Sequence, residues 1–275
     1  TIMNRSNNLS EEKIAKGQKI PFEFINDLIV VKVRIPGREE DINFLFDTGL
    51  TTSIVNRKYI EKFDIKKSWL KKWMTGISGK GRFLSRLKIS KLSLGELRFT
   101  DVKAVETDLE TFEDYTGLNI HGIIGANLIR RYIITINYNK KYIIFSSKKY
   151  YKSQNNEEAM ELSLRNSYLS KFTPEIKGRI YNNKKLNFRI DTGNSGGISI
   201  PRKSLEIIKK ESGKNLRKIK GGIAKGVFEE IKNSYVVKLE NLRIGTLKIE
   251  SAVASISDCP VALVGTGFLK LFVVE

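Results

Sequence analysis

The sequence carries the tripeptide Asp-Thr-Gly twice, at residues 47–49 and 191–193, and each copy follows an apolar run. Two carboxyl groups brought to about 3 Å of one another cannot both ionise cheaply, so they share one proton. One can then act as base on a bound water while the other donates to a carbonyl oxygen, and the oxyanion needs no metal. Such a pair titrates as a unit. Gly49 and Gly193 allow the tight turn that would aim each carboxylate. Asp47 and Asp191 are therefore the candidate catalytic residues.

Other chemistry is weakly supported. Residues 193–197 match G-x-S-x-G, the pattern around a serine nucleophile at Ser195. A triad needs a histidine, and His121 is the only one. It stands just before Ile123, Ile124 and Gly125 and reads as a turn residue. One histidine and one cysteine, Cys259, leave no usual zinc ligand set, so neither metal nor cofactor is expected. The glycine-rich segments lack the Lys-Ser/Thr of a phosphate-binding loop.

The two tripeptides belong to a longer repeat. Residues 28–34 form an apolar, β-branched run ending in a turn at Pro36 and Gly37, and residues 42–46 run into Asp47. Residues 175–180 reach a turn at Asn182 and Asn183, and residues 186–190 run into Asp191. Both read as hairpins. Downstream, the glycine-rich stretch 76–81 is matched by 221–226, and residues 91–95 by 241–245. An alternating strand at 102–105 is matched by one at 249–254, and residues 122–125 by 262–265, ending in Gly125 and Gly265. Five landmarks in one order, at nearly equal spacing, point to duplication of one β-rich unit.

Short strands between Gly and Asn turns make the class mainly β. Two short helices are expected per half. One follows each Asp-Thr-Gly, with Asn56 capping 57–62 and Pro201 opening 201–210. The other follows each apolar-Gly segment, at 127–131 and 267–270. Residues 1–19 read as a polar tether, 20–150 as the first half and 151–275 as the second, with a linker at 146–158. Past Gly125 the first half continues through a hairpin at 133–145 with its turn at 137–141. The second half stops at Glu275 without an equivalent, so its C-terminal hairpin is expected to be missing, by cropping or because another module follows.

With 275 residues, 40% of them apolar, the chain can bury a core without staples, and its single cysteine excludes an internal disulfide. The net charge is +19, from 49 Lys and Arg against 30 Asp and Glu. That balance admits nucleic acid, an anionic membrane or acidic substrates as partners. The lysines are scattered in short pairs, as at Lys66 and Lys67 or Lys209 and Lys210, with no nucleic-acid module beside them. They read as a solvated surface, and nucleic acid is not expected. No apolar stretch approaches the ~20 residues of a membrane span. One free thiol is compatible with cytosol and with export, and a chain opening on Thr1 is compatible with a removed signal segment.

An apolar strand ending in Asp-Thr-Gly, a glycine-rich hairpin and an apolar-apolar-Gly segment entering a helix, all present twice, resemble the retropepsin-like and pepsin-like aspartic peptidases. The resemblance spans about residues 22–274, nearly the whole chain. It implies a bilobal acid-protease fold made of two homologous retropepsin-like β-barrel halves with short helices. It implies an aspartic endopeptidase hydrolysing peptide bonds with water activated by Asp47 and Asp191. It also implies that Thr48 and Thr192 hydrogen-bond across a pseudo-twofold axis and lock the two loops. Gly125 and Gly265 would let backbone pass close beneath the aspartates. The hairpins carrying Gly76, Gly79 and Gly81, and Gly222 and Gly226, would be flaps, and glycines there give a lid its mobility. Paired flaps look more like a fused retropepsin dimer than a pepsin. The implied partner is an extended peptide or protein held by main-chain hydrogen bonds. Trp73, Phe83 and Phe228 would line side-chain pockets or pack in the core, and one chain, as a monomer, suffices for the site. Relatives of this bacterial type imply export to the periplasm or cell surface and a following peptide-binding PDZ module. The basic, disulfide-free composition suggests function at near-neutral or mildly acidic pH.

Where the family usually has Ser, Thr or Ala after Asp-Thr-Gly, this chain has Leu50 and Asn194. A hydroxyl there can bond the outer carboxylate oxygen. Leu50 cannot, whereas an Asn side chain has donors, so Asp191 is expected to be the better anion and Asp47 to carry the shared proton. Leu50 also keeps open the alternative of a catalytically inactive, peptide-binding pseudo-peptidase. Retention of both aspartates and both threonines argues for the enzyme, because a binding groove needs neither.

Overall fold

The structure, a computed structural model, describes residues 17–36, 38–63, 65–76, 78–147, 163–165, 173–181, 184–212, 218–221, 224–227, 230–231 and 234–274. Residues 1–16 of the expected tether, Gly37, residues 148–158 of the expected linker, Asn182, Asn183, Gly222 and Phe228 lie outside the described residues.

The first half contains β1 (Gln18–Ile25), β2 (Leu28–Val33), β3 (Ile42–Phe46), β4 (Ser53–Asn56), β5 (Lys66–Thr75), β6 (Gly81–Leu94), β7 (Leu97–Thr107), β8 (Gly122–Ile124), β9 (Tyr132–Asn137) and β10 (Tyr142–Ser147). The second contains β11 (Ser163–Arg165), β12 (Thr173–Ile180), β13 (Lys184–Asp191), β14 (Ile198–Pro201), β15 (Lys218–Lys220), β16 (Ala224–Lys225), β17 (Glu230–Ile231), β18 (Tyr235–Ile244), β19 (Leu247–Ser257), β20 (Ala262–Gly265) and β21 (Val273–Val274). The helices are α1 (Glu110–Thr116), α2 (Ala126–Ile129), α3 (Leu205–Ser212) and α4 (Thr266–Leu269). The protein is mainly β, as its turn-punctuated sequence implies.

In the first half β2, β3, β8, β4, β7 and β6 are neighbours in that order, and a bridge between Arg34 and Ser93 returns β6 to β2. The ring closes as a six-stranded barrel. In the second half β12, β13, β20, β14, β19 and β18 follow one another, and β18 pairs back with β12. The order is the same, strand for strand. Closure leaves these rings without free edges. In both, a parallel pair (β3 with β8, β13 with β20) sits where the Asp-Thr-Gly segment leaves the sheet.

Local chemistry explains the tight corners. Asn26 and Asp27 join β1 to β2 with both φ values positive (49° and 61°). That is the two-residue turn whose twist matches antiparallel strands, and Asn and Asp tolerate it. The repeat landmarks Gly95 and Gly245 occupy equivalent two-residue turns, β6 to β7 and β18 to β19, with φ of 57° and 58°.

One hydrophobic cluster runs through both halves, from Phe46 and Phe145 to Phe188 and Ile190. A sheet of β1, β10, β9 and β21 ties them together, with the chain end at Val273 and Val274 pairing with Asn137 and Ile136 of β9. Two expected boundaries move. A strand already begins at Gln18, inside the stretch read as tether, because Gln18 to Pro21 pair with β10. The stretch read as linker starts inside β10, where Ser146 and Ser147 pair with β9. The helices expected after each Asp-Thr-Gly are present: Asn56 caps a 3-10 turn at Arg57–Tyr59, and Pro201 precedes a 3-10 turn leading into α3. Those expected after each apolar-Gly segment are α2 and α4, each starting one residue early. The helix α1 was not expected; it ends at Gly117, whose φ of 71° stops it.

Tyr138 is buried between Phe22 and Phe24, with ring centroids 6.2 and 5.4 Å away. Among the described residues its hydroxyl has no hydrogen-bond partner, and burial pushes its pKa up. Removing an unsatisfied buried hydroxyl relieves a desolvation cost of about 1–3 kcal/mol. Tyr138→Phe should therefore raise the urea midpoint without changing the slope of the unfolding transition.

Candidate active site

Each aspartate is delivered where a central strand leaves its sheet. Asp47 follows Phe46 at the end of β3, and its N–H donates to the Ile124 carbonyl (3.0 Å). Asp191 ends β13 opposite Gly265 of β20. The chain turns at once in both places. Oδ1 of Asp47 accepts the Gly49 and Leu50 N–H groups (2.7 and 3.0 Å). Oδ1 of Asp191 accepts the Gly193 N–H (3.0 Å). Each turn thus folds back on its own carboxylate and fixes one oxygen.

The two turns meet through their threonines. The Thr48 N–H donates to Thr192 Oγ1 (3.0 Å), and the Thr192 N–H donates to Thr48 Oγ1 (3.2 Å). The hydroxyls donate onward, Thr48 to the Ile190 carbonyl (2.8 Å) and Thr192 to the Phe46 carbonyl (2.7 Å). Both side chains are buried, so no water competes. This lock seats each carboxyl on the glycine of the other turn. A methyl group on Gly49 would lie 2.5 Å from Cγ of Asp191, and one on Gly193 would overlap the Asp47 carboxyl. The two carboxyls share a hydrogen bond.

Burial pushes both carboxyls above the ordinary range, but unequally. For Asp47 the burial effect is reinforced by the charge of Asp191, and its pKa stands well above the usual value. For Asp191 burial is opposed by the Arg189 guanidinium and by the bond from Asp47, so the rise is smaller. Asp191 thus has an opposing cation, Arg189, beside it. The sequence suggested a difference between the two aspartates through Leu50 and Asn194; the asymmetry here has another cause. The Asn194 side chain accepts the Gly196 N–H (2.9 Å), and the cation is Arg189, two residues upstream on the same face of β13.

Gly125 and Gly265 sit where another backbone crosses. A methyl on Gly125 would lie 2.8 Å from the Leu50 carbonyl oxygen, and one on Gly265 would overlap the Gly196 and Asn194 carbonyls. The segments crossing there are the chain just after each Asp-Thr-Gly. Behind Gly125, Asn127 braces the first loop: its Oδ1 accepts the Ser53 N–H and hydroxyl (2.7 and 2.9 Å), and its Nδ2 donates to the Lys103 carbonyl (2.9 Å). In the second half the corresponding residue is Gly267, whose N–H donates to the Gly196 carbonyl (3.0 Å).

Each half also carries a hairpin. In the first, Gly76, Gly79 and Gly81 form the turn between β5 and β6, with the Gly76 N–H on the Lys80 carbonyl (2.8 Å) and Gly79 at φ 84°. Gly79 lies against Pro260 of the second half. In the second hairpin the turn falls between Lys225 and Glu230, so Gly226 is at the tip, whereas Gly221 stays on the rising arm, bonded to the Ser234 carbonyl. Val227, next to Gly226, packs against the apolar cluster of the first half that contains Leu45 and Met74. Each hairpin leans on the opposite half. Trp73 and Phe83 pack edge-to-face (centroids 5.0 Å apart) and are both exposed, so they lie outside the core.

The serine alternative is not assembled. His121 stacks on Tyr59 and Phe63, and Ser195 receives the Tyr115 hydroxyl (3.3 Å). Reasoning from sequence missed Asn127, Tyr115 and Arg189. Only Arg189 had a signal: in the repeat it stands opposite Leu45, a cation where the other half has a hydrocarbon.

Two six-stranded rings joined at paired Asp-Thr-Gly turns define a protein with the two-lobed acid-protease fold. A family model described as aspartyl protease matches residues 31–128, from β2 to α2, including Asp47 and Gly125. The match supports membership of an aspartic protease family. A search of curated proteins found no match.

Two outcomes follow from this geometry. Thr192→Val leaves the buried Thr48 N–H without its acceptor and the Phe46 carbonyl without its donor, at about 1–3 kcal/mol for each. Thermal unfolding should show that loss, and Thr192→Ser should restore most of it. Asp47→Asn should raise the melting temperature near neutral pH. A carboxyl whose folded pKa is raised favours the fold below its unfolded value near 3.8 and loses that contribution as pH rises through the folded value. The advantage of Asn should therefore vanish on acidification below that unfolded value.

Proposed function

We propose that the protein is an aspartic endopeptidase whose dyad is Asp47 and Asp191. The observation that carries this reading is the reciprocal seating of the two carboxyls, each on the other turn's glycine and joined through one proton. A binding groove has no use for two carboxyls crowded where neither ionises at its ordinary pKa; a general acid–base pair does. Asp191, the better anion, takes a proton from a water lying between the carboxyls, and the water oxygen attacks the scissile carbonyl carbon. Asp47 donates its proton to the carbonyl oxygen, giving a neutral geminal diol. Collapse of the diol returns one hydroxyl proton to Asp47 and passes the proton on Asp191 to the departing amine nitrogen, and the C–N bond breaks.

The duplicated architecture supports a site completed within one chain. The extended substrate would lie beneath the two hairpins and pair with their strands. Opening of the hairpins, whose tips lean on opposite halves, would admit it. Leu50 does not weaken the dyad on this reading, because its N–H, not its side chain, bonds Asp47.

The test is digestion of a denatured protein mixture from about pH 3 to about pH 8, read by mass spectrometry. Wild type should cleave, and Asp47→Asn and Asp191→Asn should each lose at least roughly a thousandfold in rate, the range of general acid–base catalysis. Equal cleavage by all three would remove the dyad. No cleavage by any folded form, with peptide binding retained, would make the protein a pseudo-peptidase.

A further inference from the structure

The two rings match strand for strand, so the wall beside each aspartate can be compared residue by residue. In the first half, β3 places Leu45 two residues before Asp47, on the same side of the strand. Leu45 pairs in register with Val30 of β2 and Ile123 of β8; Ile123 pairs with Ile54, and Ile54 with Val105. All five are buried, sealed by Met74 and Leu84 of the first hairpin, with Val227 of the second and Leu50 against them.

The same register in the second half gives Arg189, Glu175, Leu263, Ser199 and Ser255. Four of these five changed from hydrocarbon to polar or charged. Arg189, Ser199, Ser255 and Leu263 are all half-exposed where their counterparts are sealed, so the wall beside Asp191 is open. Glu175 lies directly opposite Arg189 and is 4% exposed, whereas Arg189 is partly exposed with its Nε buried. A guanidinium has five donors in a planar fork, more than the two oxygens of one carboxylate occupy, so it can back onto one acid and present an edge to another.

We propose that the wall around Arg189 is a subsite for an acidic substrate side chain, Asp or Glu, flanking the scissile bond, and that the sealed apolar wall around Leu45 favours a hydrocarbon side chain on the other side. The proposal rests on the reading of Asp47 and Asp191 as the catalytic pair, because that pair fixes where the scissile bond lies. The Arg189 charge already reaches Asp191, two residues along the strand, so it also reaches a substrate group bound there. The net charge of +19 draws acidic peptides toward the molecule.

The test compares otherwise identical peptides with Leu-Glu-Leu or Leu-Leu-Leu at the centre, together with a mixed peptide library read by mass spectrometry. Wild type should enrich Asp and Glu on one side of the cleaved bond and apolar residues on the other. Arg189→Leu, which restores the residue of the first half, should lower the Glu-to-Leu ratio of kcat/KM by roughly tenfold or more, the worth of a hydrogen bond to a charged group. Arg189→Lys should keep part of it. The ratio is taken within one protein, so partial unfolding cancels. An unchanged ratio in Arg189→Leu, or a change only in its pH profile, would overturn the subsite. A binding arm separates the two readings: Asp47→Asn protein titrated with the same peptides should prefer the Glu peptide, and Asp47→Asn/Arg189→Leu should not. Binding preference without any cleavage by wild type would keep the subsite and remove the dyad. Cleavage without acidic preference would do the reverse.

Discussion

The structure depends on the exchange of hydrogen bonds between Thr48 and Thr192. Asp47 and Asp191 sit on different barrels, so the distance between them is set across the interface. The threonines fix it with four bonds, two backbone N–H groups given across the interface and two hydroxyls donating to Ile190 and Phe46. In a buried, water-free place such bonds are hard to replace, since each lost partner strands a polar group. The requirement for glycine at 49 and 193 follows from the approach that this lock enforces, whereas the raised pKa values of both carboxyls come first from burial.

Around that near-symmetric centre the molecule is asymmetric in ways that matter chemically. Burial alone would raise both carboxyls alike; a single guanidinium on one strand breaks the tie. The bracing differs too. In the first half the Asn127 side chain holds the loop after Asp-Thr-Gly, whereas in the second Gly267 lets backbone do so directly. One wall of the site is hydrocarbon and sealed, its counterpart polar and open. Two barrels of one strand order thus differ in chemistry at a few inward positions.

The hairpins show the same economy. Each rises from its own half and touches the other, Gly79 against Pro260 and Val227 against the Leu45 cluster. Each hairpin is thus held at its end by a few small and apolar contacts with the other half.

Much of this was legible before any coordinates. Two copies of Asp-Thr-Gly with matched flanks determined the strand-ring topology and the residues of the pair, because alternation and turn chemistry are local properties and a duplicated local pattern folds twice the same way. The turns at Gly95 and Gly245 and the helix after Asn56 follow for the same reason. What the tertiary structure alone decided lies across chain separations that no local pattern encodes. The helix α1 has little sequence signal. In the second hairpin the strand pairing continues past Gly221 to Lys225 and Glu230, because β16 and β17 prolong its arms. Asp47 and Asp191 have unlike surroundings because Arg189 stands beside Asp191 and the Asn194 side chain turns to Gly196, a difference set only when the two barrels meet. The sequence by itself determined that there are two aspartates; the packing of the barrels decided that they are one unequal pair.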